Sequence, residues 1–535
     1  MLLASSQFMP KSYNQIILLT AAWLTMLTNA SYFRQVLSLY QINLETLGFV
    51  ISIVVLQFSF VVLVLCLFSA KYLFKPWILL MTVSAASAAY FMDSFGLVID
   101  QDMIRNILQT NTQEALDLVS FKLLVYLVLL GLLPVVWVTL TPTRIRPFWL
   151  EILSRVKLIG FAIVLILLCI TIFFKPYASF FREHKSVRFY SNPVYPLYSS
   201  TKYLLEMFES PNTELEKIGL GAHIPANDID RELIIFVIGE TVRADHFSLN
   251  DYSRNTNPRL AQESLFNFSS MTSCATSTAV SVPCIFSLLP KKDFSTTAAG
   301  NTENLLDVLK RAGVNVLWRD NNSNSKGVAD RVEYQNFRDP SLNSNCDIEC
   351  RDEGMLIGLT EYINAHPSGD ILIVLHQMGN HGPAYYKRYP AQFETFTPAC
   401  KTAQLENCSD QEIINAYDNA ILYTDYFLSK TIKFLNEKSD QFETGLIYAS
   451  DHGESLGEKG IYLHGLPDLL APPEQTNVAS FLWLGESYEH ANRQLVLKKS
   501  SLPLSHDNLF HTLLGLFEID TVEYQANLDV LSDSW

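Results

Sequence analysis

Three separated fragments in the second half of this 535-residue chain carry side chains that could share one metal ion. Glu240 closes the apolar run ELIIFVIGE, while Thr276, Ser277 and Thr278 sit in the hydroxyl-rich SCATSTAVSVPC. Asp451 and His452 close GLIYASDH. Carboxylate, hydroxyl and imidazole are oxygen and nitrogen donors that suit zinc, and a hydroxyl beside such an ion becomes a nucleophile at neutral pH. Taken singly, each fragment has an ordinary reading: an N-cap for the hydroxyls, a helix-capping carboxylate for Glu240, a solvated turn for Asp451 and His452. Taken together they point to phosphoryl-transfer chemistry. Spacing alone leaves open which of Thr276, Ser277 and Thr278 attacks.

Other fragments offer supporting groups. His381 in HQMGNHGP and His464 in YLHGLP are candidates to contact a phosphate or to support the ligands. Lys326 in WRDNNSNSKG follows an Asn/Ser-rich turn that could present amides and a cation to a phosphate. In MIRNILQTNTQEA, steps of four place Asn106, Thr110 and Glu114 on one helical face, a polar ledge that could take an amine-bearing lipid headgroup. Its plain alternative is the wet side of an amphipathic surface helix.

These groups must be positioned by two different kinds of structure. Residues 1–175 hold long apolar runs with 11 Lys and Arg against 7 Asp and Glu, so the remaining 28 basic and 47 acidic side chains bring the whole to −15. A part that acidic is a poor nucleic-acid binder, and no basic stripe with interleaved aromatics is visible. Five stretches, near 14–33, 46–69, 76–99, 121–141 and 156–174, are long and apolar enough to cross a bilayer as helices. Lys11, Lys71, Lys75, Arg144, Arg146, Arg155 and Lys157 fall on one side of them. Arg34 and Arg105 fall on the other, and Lys122 sits at a helix edge. The expected topology is a multi-pass protein with a cytoplasmic N-terminus and the large C-terminal part outside. No small-x-small cleavage site follows the first stretch, so an uncleaved helix is expected there.

The expected organisation is a transmembrane domain over 1–175, an interfacial bridging helix and linker over 176–229, and a catalytic domain over 230–535. The segment after the last span is rich in Tyr and Phe, which favour the membrane–water boundary. Strand candidates at 232–239, 314–318, 370–376, 445–450 and 478–484 alternate with helical stretches such as 302–312, 353–364 and 411–437. That alternation predicts an α/β domain with a mostly parallel sheet and its chemistry at the carboxyl ends of the strands. Cys66 and Cys169 fall within apolar spans. The other six cysteines form close pairs, Cys274 with Cys284, Cys346 with Cys350 and Cys400 with Cys408, for which local disulfides are the simplest arrangement. A zinc–thiolate site is the rival, and no CxxC spacing supports it. Disulfides require an oxidising compartment, which the topology supplies independently.

The fragments VIGETVRADHFSLNDY, SCATSTAVSVPCIFS, WRDNNSNSKG, MGNHGPAYYKRYP and ASDHGESLGEKGIYLHG, with APPEQ, resemble the bacterial phosphoethanolamine transferases that modify lipid A, including the mobile colistin-resistance enzymes. The resemblance runs over nearly the whole chain. It implies an alkaline-phosphatase/sulfatase-like domain behind five helices of a bacterial inner membrane, with the catalytic domain periplasmic. It implies Thr278 as the nucleophile that carries phosphoethanolamine, and Glu240, Asp451 and His452 as the remaining ligands of one tightly held Zn2+. Lys326, His381 and His464 resemble residues that contact the transferred phosphate or hold a second, weaker zinc. Asn106, Thr110 and Glu114 match positions associated with the donor headgroup.

The implied reaction takes phosphoethanolamine from phosphatidylethanolamine through Thr278 to a lipid A phosphate of lipopolysaccharide, giving resistance to polymyxin and cationic peptides. Related acceptors are core sugars and periplasmic glucans. A membrane-anchored phosphatase or sulfatase and a non-catalytic receptor are the rival classes. No oligomerisation signal is read, so a monomer is expected. One departure is Ala275, where the family commonly has Gly after the cysteine; if that position needed a positive φ, the approach to Thr278 would be reshaped.

Overall fold

The computed structural model of the chain describes residues 10–68, 72–110, 112–144, 146–209 and 215–533. Lys71, used above to orient the helices, and residues 210–214 of the expected linker lie outside the described residues. The chain divides into two compact units, one made of residues up to Ile104 with Val119–Leu205, the other of Arg105–Leu118 with Glu206 onward.

In the first unit, four helices are long and apolar enough to cross a membrane: Leu47–Cys66, Phe74–Phe95, Phe121–Leu140 and Phe148–Ile172. Tyr13–Leu27 and Ala30–Leu39 add a fifth span if this pair, bent by 59°, is one crossing. The bend has a local cause. Thr28 Oγ1 and Asn29 Nδ2 both donate to the Leu24 carbonyl, at 2.8 and 3.0 Å, so side chains take over a helical acceptor. Asn29 is then tied into a buried polar knot: Gln57 Nε2 donates to Asn29 Oδ1 and to the Asn192 carbonyl, both at 3.1 Å, and Asn192 Nδ2 donates to the Thr28 carbonyl at 3.0 Å.

The last span begins at Phe148, earlier than its hydropathy suggested. Arg155 and Lys157, read above as loop residues, therefore lie within it. The reason is an i,i+4 pair: Arg155 Nη2 and Glu151 Oε1 are 2.5 Å apart, which lets a largely buried guanidinium continue the helix. After this span come helices Phe174–Glu183 and Val194–Glu209.

The second unit is built on a seven-stranded sheet: β1 (Glu232–Gly239), β2 (Leu265–Asn267), β3 (Asn315–Asp320), β4 (Glu333–Asn336), β5 (Ile371–His376), β6 (Glu443–Ser450) and β7 (Ser480–Leu484). Their spatial order is β2-β7-β6-β1-β5-β3-β4. The pairs around β1, β5, β6, β3 and β4 are parallel, and β7 and β2 close one side antiparallel. All eight residues of β1 and all eight of β6 are buried, as expected for strands covered on both faces. Alternate side chains such as Ile234, Phe236, Ile238, Val374, Ile447 and Leu482 form one continuous core. The long helix Asp410–Asn436 covers part of the sheet; it starts at a capping box in which Ser409 and Glu412 exchange hydrogen bonds.

Register positions the chemistry. Gly239 pairs with Ser450, and Ile238 and Asp320 both pair with His376. Glu240, Asp451, Gln377 and Asn321 therefore leave the sheet side by side at one level. The helix expected through Asn106, Thr110 and Glu114 is interrupted: one helix ends at Gln109 and another spans Thr112–Asp117. Thr110 Oγ1 and N both donate to the Asn106 carbonyl, at 2.7 and 2.9 Å, while Glu114 belongs to the second, shorter helix.

At the opposite, amino-terminal end of the sheet, Glu232 and Asp370 are buried side by side. Burial, and then the Asp370 charge, push the Glu232 carboxyl far above its ordinary range. A carboxyl raised in the folded state contributes stability that is complete below its unfolded pKa and is lost as pH climbs through the folded one. Thermal unfolding followed from pH 6 to 9 should show the wild-type chain losing stability with rising pH, and Glu232→Gln flattening that slope. Parallel slopes for the two proteins would show that Glu232 is not the titrating group.

Candidate active site

Thr278 is the first residue of the helix Thr278–Ile285, and Ser277 is its extended N-cap. The Cys274–Cys284 disulfide joins the loop before this helix to its last turn, and the other two cysteine pairs are bridged as well. Of the three hydroxyls that spacing left open, Thr276 Oγ1 donates to the Leu466 carbonyl at 2.7 Å. Thr278 Oγ1 lies 3.2 Å from Glu240 Oε2 and 3.2 Å from His452 Nε2. His452 Nε2 is in turn 3.5 Å from Glu240 Oε1 and 3.4 Å from Asp451 Oδ2. Four side chains drawn from between positions 240 and 452 thus meet in one buried spot.

The donor set fits a divalent cation. One ligand atom from each of Glu240, Asp451 and His452 lies within 4.8 Å of the others, and all three residues are buried. Asp451 Oδ1 accepts from the amides of Thr241 and His452, at 3.2 and 2.8 Å. Asp451 Oδ2 is buried with no hydrogen-bond partner, a costly arrangement that a cation would relieve. His452 Nδ1 lies 2.9 Å from the Gly453 carbonyl, so Nδ1 carries the proton and the Nε2 lone pair is free to ligate. Asn322 Nδ2 donates to Glu240 Oε2 at 2.6 Å. Burial, with the Asp451 charge beside it, pushes the Glu240 carboxyl well above its usual range, and burial pushes the His452 imidazole below its own.

His452, Glu454 and His464 form a second close group. Glu454 is already saturated: Tyr385 Oη donates to its Oε1 at 2.6 Å and His464 Nδ1 lies 2.7 Å from its Oε2. We therefore read Glu454 as the residue that orients His464, not as a metal ligand. Burial lowers the His464 pKa, but the adjacent Glu454 charge and hydrogen bond outweigh it and raise the net value. His381, 5.6 Å from His464 between ring centres, is held well below its ordinary range by burial and by Arg388. Lys326 Nζ donates to Ser323 Oγ at 2.7 Å; burial lowers its pKa against the pull of Glu114, Asp320, Glu240 and Asp451. Of Asn106, Thr110 and Glu114, it is Glu114 whose charge acts on Lys326, Glu240 and His464, and its carboxylate lies 3.8 Å from Arg338.

The loops that carry these groups are held in uncommon backbone conformations. Thr241, Lys326 and Leu463 have φ of 57°, 53° and 65°, in the left-handed region that β-branched and bulky residues avoid. At Thr241 the consequence is plain: its N–H reaches Asp451 while its carbonyl accepts from Tyr417 Oη at 2.5 Å. Gly379 is held against the Glu240 backbone, where a Cβ would meet the Glu240 carbonyl oxygen at 2.9 Å. Ala275 does not have a positive φ, so the departure from Gly noted above does not strain the approach to Thr278.

Sequence reasoning missed four supports: Asn322, Glu454, Tyr385 and His506. The first three lie in quoted fragments, whereas His506 sits in SLPLSHDN with no signal to find it. Its neutral imidazole, pushed down to about 4 by burial, accepts from the Cys274 amide at 3.1 Å through Nδ1 and donates to the Ser450 carbonyl at 3.1 Å through Nε2. Ser281 Oγ donates to the Asp451 carbonyl at 2.5 Å. The loop before Thr278 and the loop carrying Asp451 and His452 are thereby pinned to each other.

Residues 232–519 match the family described as Sulfatase, and residues 57–208 match the one described as Phosphoethanolamine transferase EptA/EptB. The chain is 41% identical over 523 residues to phosphatidylethanolamine transferase Mcr-2 of Escherichia coli, covering 95% of this chain and 96% of that one. It is also 41% identical over 529 residues to phosphoethanolamine transferase EptA of E. coli K12, with 96% of each covered. Among solved structures, the integral membrane lipooligosaccharide phosphoethanolamine transferase A of Neisseria meningitidis superposes with a TM-score of 0.92 at 32% identity, over 97% of this chain and 98% of that one.

Replacing His506 by Ala removes two buried hydrogen bonds. It should lower unfolding stability by about 1–3 kcal/mol and slow any reaction that depends on Thr278, with His506→Gln recovering part of both. Chemical denaturation and initial rates, measured together, check this. Unchanged stability and unchanged rate would remove His506 from the support of the site.

Proposed function

The chain belongs to the phosphoethanolamine transferase family that includes EptA and Mcr, and from that premise we propose that it moves phosphoethanolamine from phosphatidylethanolamine, by way of Thr278, to a phosphate of lipid A. The observation that carries the reading is the meeting of Thr278 Oγ1 with Glu240 and His452 at the carboxyl ends of parallel strands. Glu240, Thr278, Asp451 and His452 would hold one zinc, because the donors are two carboxylates, an imidazole and a hydroxyl. A zinc held there would acidify the threonine hydroxyl and offset charge on the phosphoryl oxygens.

The reaction is two in-line displacements. In the first, the Thr278 oxygen gives up its proton and bonds to phosphorus, and the bond from phosphorus to the diacylglycerol oxygen breaks. His464, its Nδ1 tied to Glu454, returns a proton to the leaving oxygen. The phosphorylated residue begins a helix, whose N-terminal amides favour the added negative charge. Lys326 and His381 stabilise the charge that develops on the phosphoryl oxygens. In the second displacement a lipid A phosphate oxygen bonds to the phosphorus held on Thr278, the bond from phosphorus to the Thr278 oxygen breaks, and that oxygen takes back a proton. Glu114, whose charge reaches this region, would meet the ammonium of the donor headgroup, with Asn106 and Thr110 on the adjoining helix end. The setting is a bacterial inner membrane crossed several times, with a cytoplasmic N-terminus and a periplasmic catalytic unit in which the three disulfides persist. Modified lipid A carries less negative charge, which weakens binding of polymyxin and cationic peptides.

Mass spectrometry of lipid A from cells with the intact chain should show the added phosphoethanolamine, and Thr278→Ala should lower it by about a thousandfold or more. Gain on core sugars or glucans alone would reject the lipid A acceptor. Elemental analysis of the purified chain should find about one zinc, lost in Asp451→Ala and largely kept in Thr278→Ala. Equal zinc in all three proteins would place the ion elsewhere.

A further inference from the structure

The first unit contains a cavity of about 680 Å³ that plays no part in the chemistry above. Its size suits a small-molecule or headgroup ligand. His184, Lys185, Arg188 and Lys202 line it, against two carboxylates, Asp100 and Asp102. Among the described residues no ion pair takes Lys185, Arg188 or Lys202. Among the described residues, Arg155 pairs with Glu151 and Arg182 with Glu183 in this unit. Asp100 is buried and its Oδ1 accepts from the Met103 amide at 2.8 Å, at the start of the helix Gln101–Gln109, where the helix itself favours negative charge. The cavity is therefore left with an excess of cations.

Its wall is built and fixed. Gln57, 2% exposed, lines the cavity with every polar atom of its amide committed: Nε2 donates to Asn29 and Asn192, and Oε1 accepts from Ser191 Oγ at 2.8 Å. Phe181 and Tyr198 also line it and are more than half exposed, at 51% and 58%, in the aromatic segment that follows the last span. Cations next to exposed aromatics in a membrane-spanning unit match an amphiphile whose head is anionic. Three cations against two carboxylates leave one positive charge in excess, which a zwitterionic headgroup, carrying no net charge, leaves unmet. A phosphomonoester carries up to two negative charges and no ammonium, and satisfies the excess.

We propose that this cavity binds the phosphomonoester headgroup of a membrane lipid and, resting on the transfer reaction proposed above, that it is where the phosphorylated acceptor is captured. The assignment adds a second lipid site to the chain, distinct in residues from the Asn106, Thr110 and Glu114 ledge.

The test uses the full chain in nanodiscs, with short-chain phosphatidic acid, short-chain phosphatidylethanolamine and inorganic phosphate as probes, read by native mass spectrometry. Phosphatidic acid should bind tightest, and the combined variant Lys185→Ala, Arg188→Ala, Lys202→Ala should weaken it about tenfold or more. Arg188→Lys, which keeps the charge, should keep most of the binding. In assays, the triple variant should release diacylglycerol from labelled phosphatidylethanolamine at the wild-type rate, while the apparent KM for phosphorylated acceptor rises about tenfold. Wild-type affinity for phosphatidic acid in the triple variant would overturn the site. Equal or tighter binding of phosphatidylethanolamine or free phosphate would overturn the headgroup assignment. A wild-type chain that releases no diacylglycerol would instead sink the transferase reading and leave the phosphatidic acid measurement to decide the cavity.

Discussion

Two carboxylates with no exposure to solvent, Glu240 and Asp451, stand within reach of one another because β1 and β6 run parallel and in register. Like charges in that position repel, and burial removes the water that would screen them. The arrangement persists only because the scaffold over-determines it. Asp451 is gripped by two amides, Glu240 is gripped by Asn322 and pressed by Gly379, and both follow strands that cannot shift without exposing a core face. Everything else near the site answers to this concentration of negative charge. The imidazole of His452 turns its free nitrogen inward, and Lys326 is held close enough for both carboxylates to favour its protonated form.

Backbone strain is distributed in the same service. Thr241, Lys326 and Leu463 stand immediately beside or at groups that matter, and none is a glycine. Each left-handed residue of this kind costs about 1–3 kcal/mol, which a domain with so continuous a core can carry. At Thr241 the twist points N–H and C=O to opposite partners, one a ligand carboxylate and one a tyrosine. A relaxed extended residue would send both to the same side, across to one neighbour.

Much of this was legible in the residues. Long buried strands such as 232–239 and 443–450 announce themselves because a strand covered on both faces must be apolar throughout. The edge strands Leu265–Asn267 and Glu333–Asn336 did not, since one is three residues long and the other is polar and largely exposed. The hydropathy of 121–141 fixed a span closely, whereas the start of the last span was misplaced because an internal ion pair hides two charges from any apolar window. A period of four through Asn106, Thr110 and Glu114 looked like one helix, but Glu114 lies on a separate short helix, Thr112–Asp117, and a period records no such break. Around the site, ligand types could be read, while Glu454, Tyr385 and His506 could not. Their roles depend on which side chains meet across loops, and local spacing holds no record of that.

His506 braces Cys274 from 232 positions downstream. The loop that carries the hydroxyl therefore lacks its support while most of the chain is still being made. Assembly order thus acts as a safety catch: the pocket around Thr278 gains its last brace only when nearly the whole polypeptide has been made and folded.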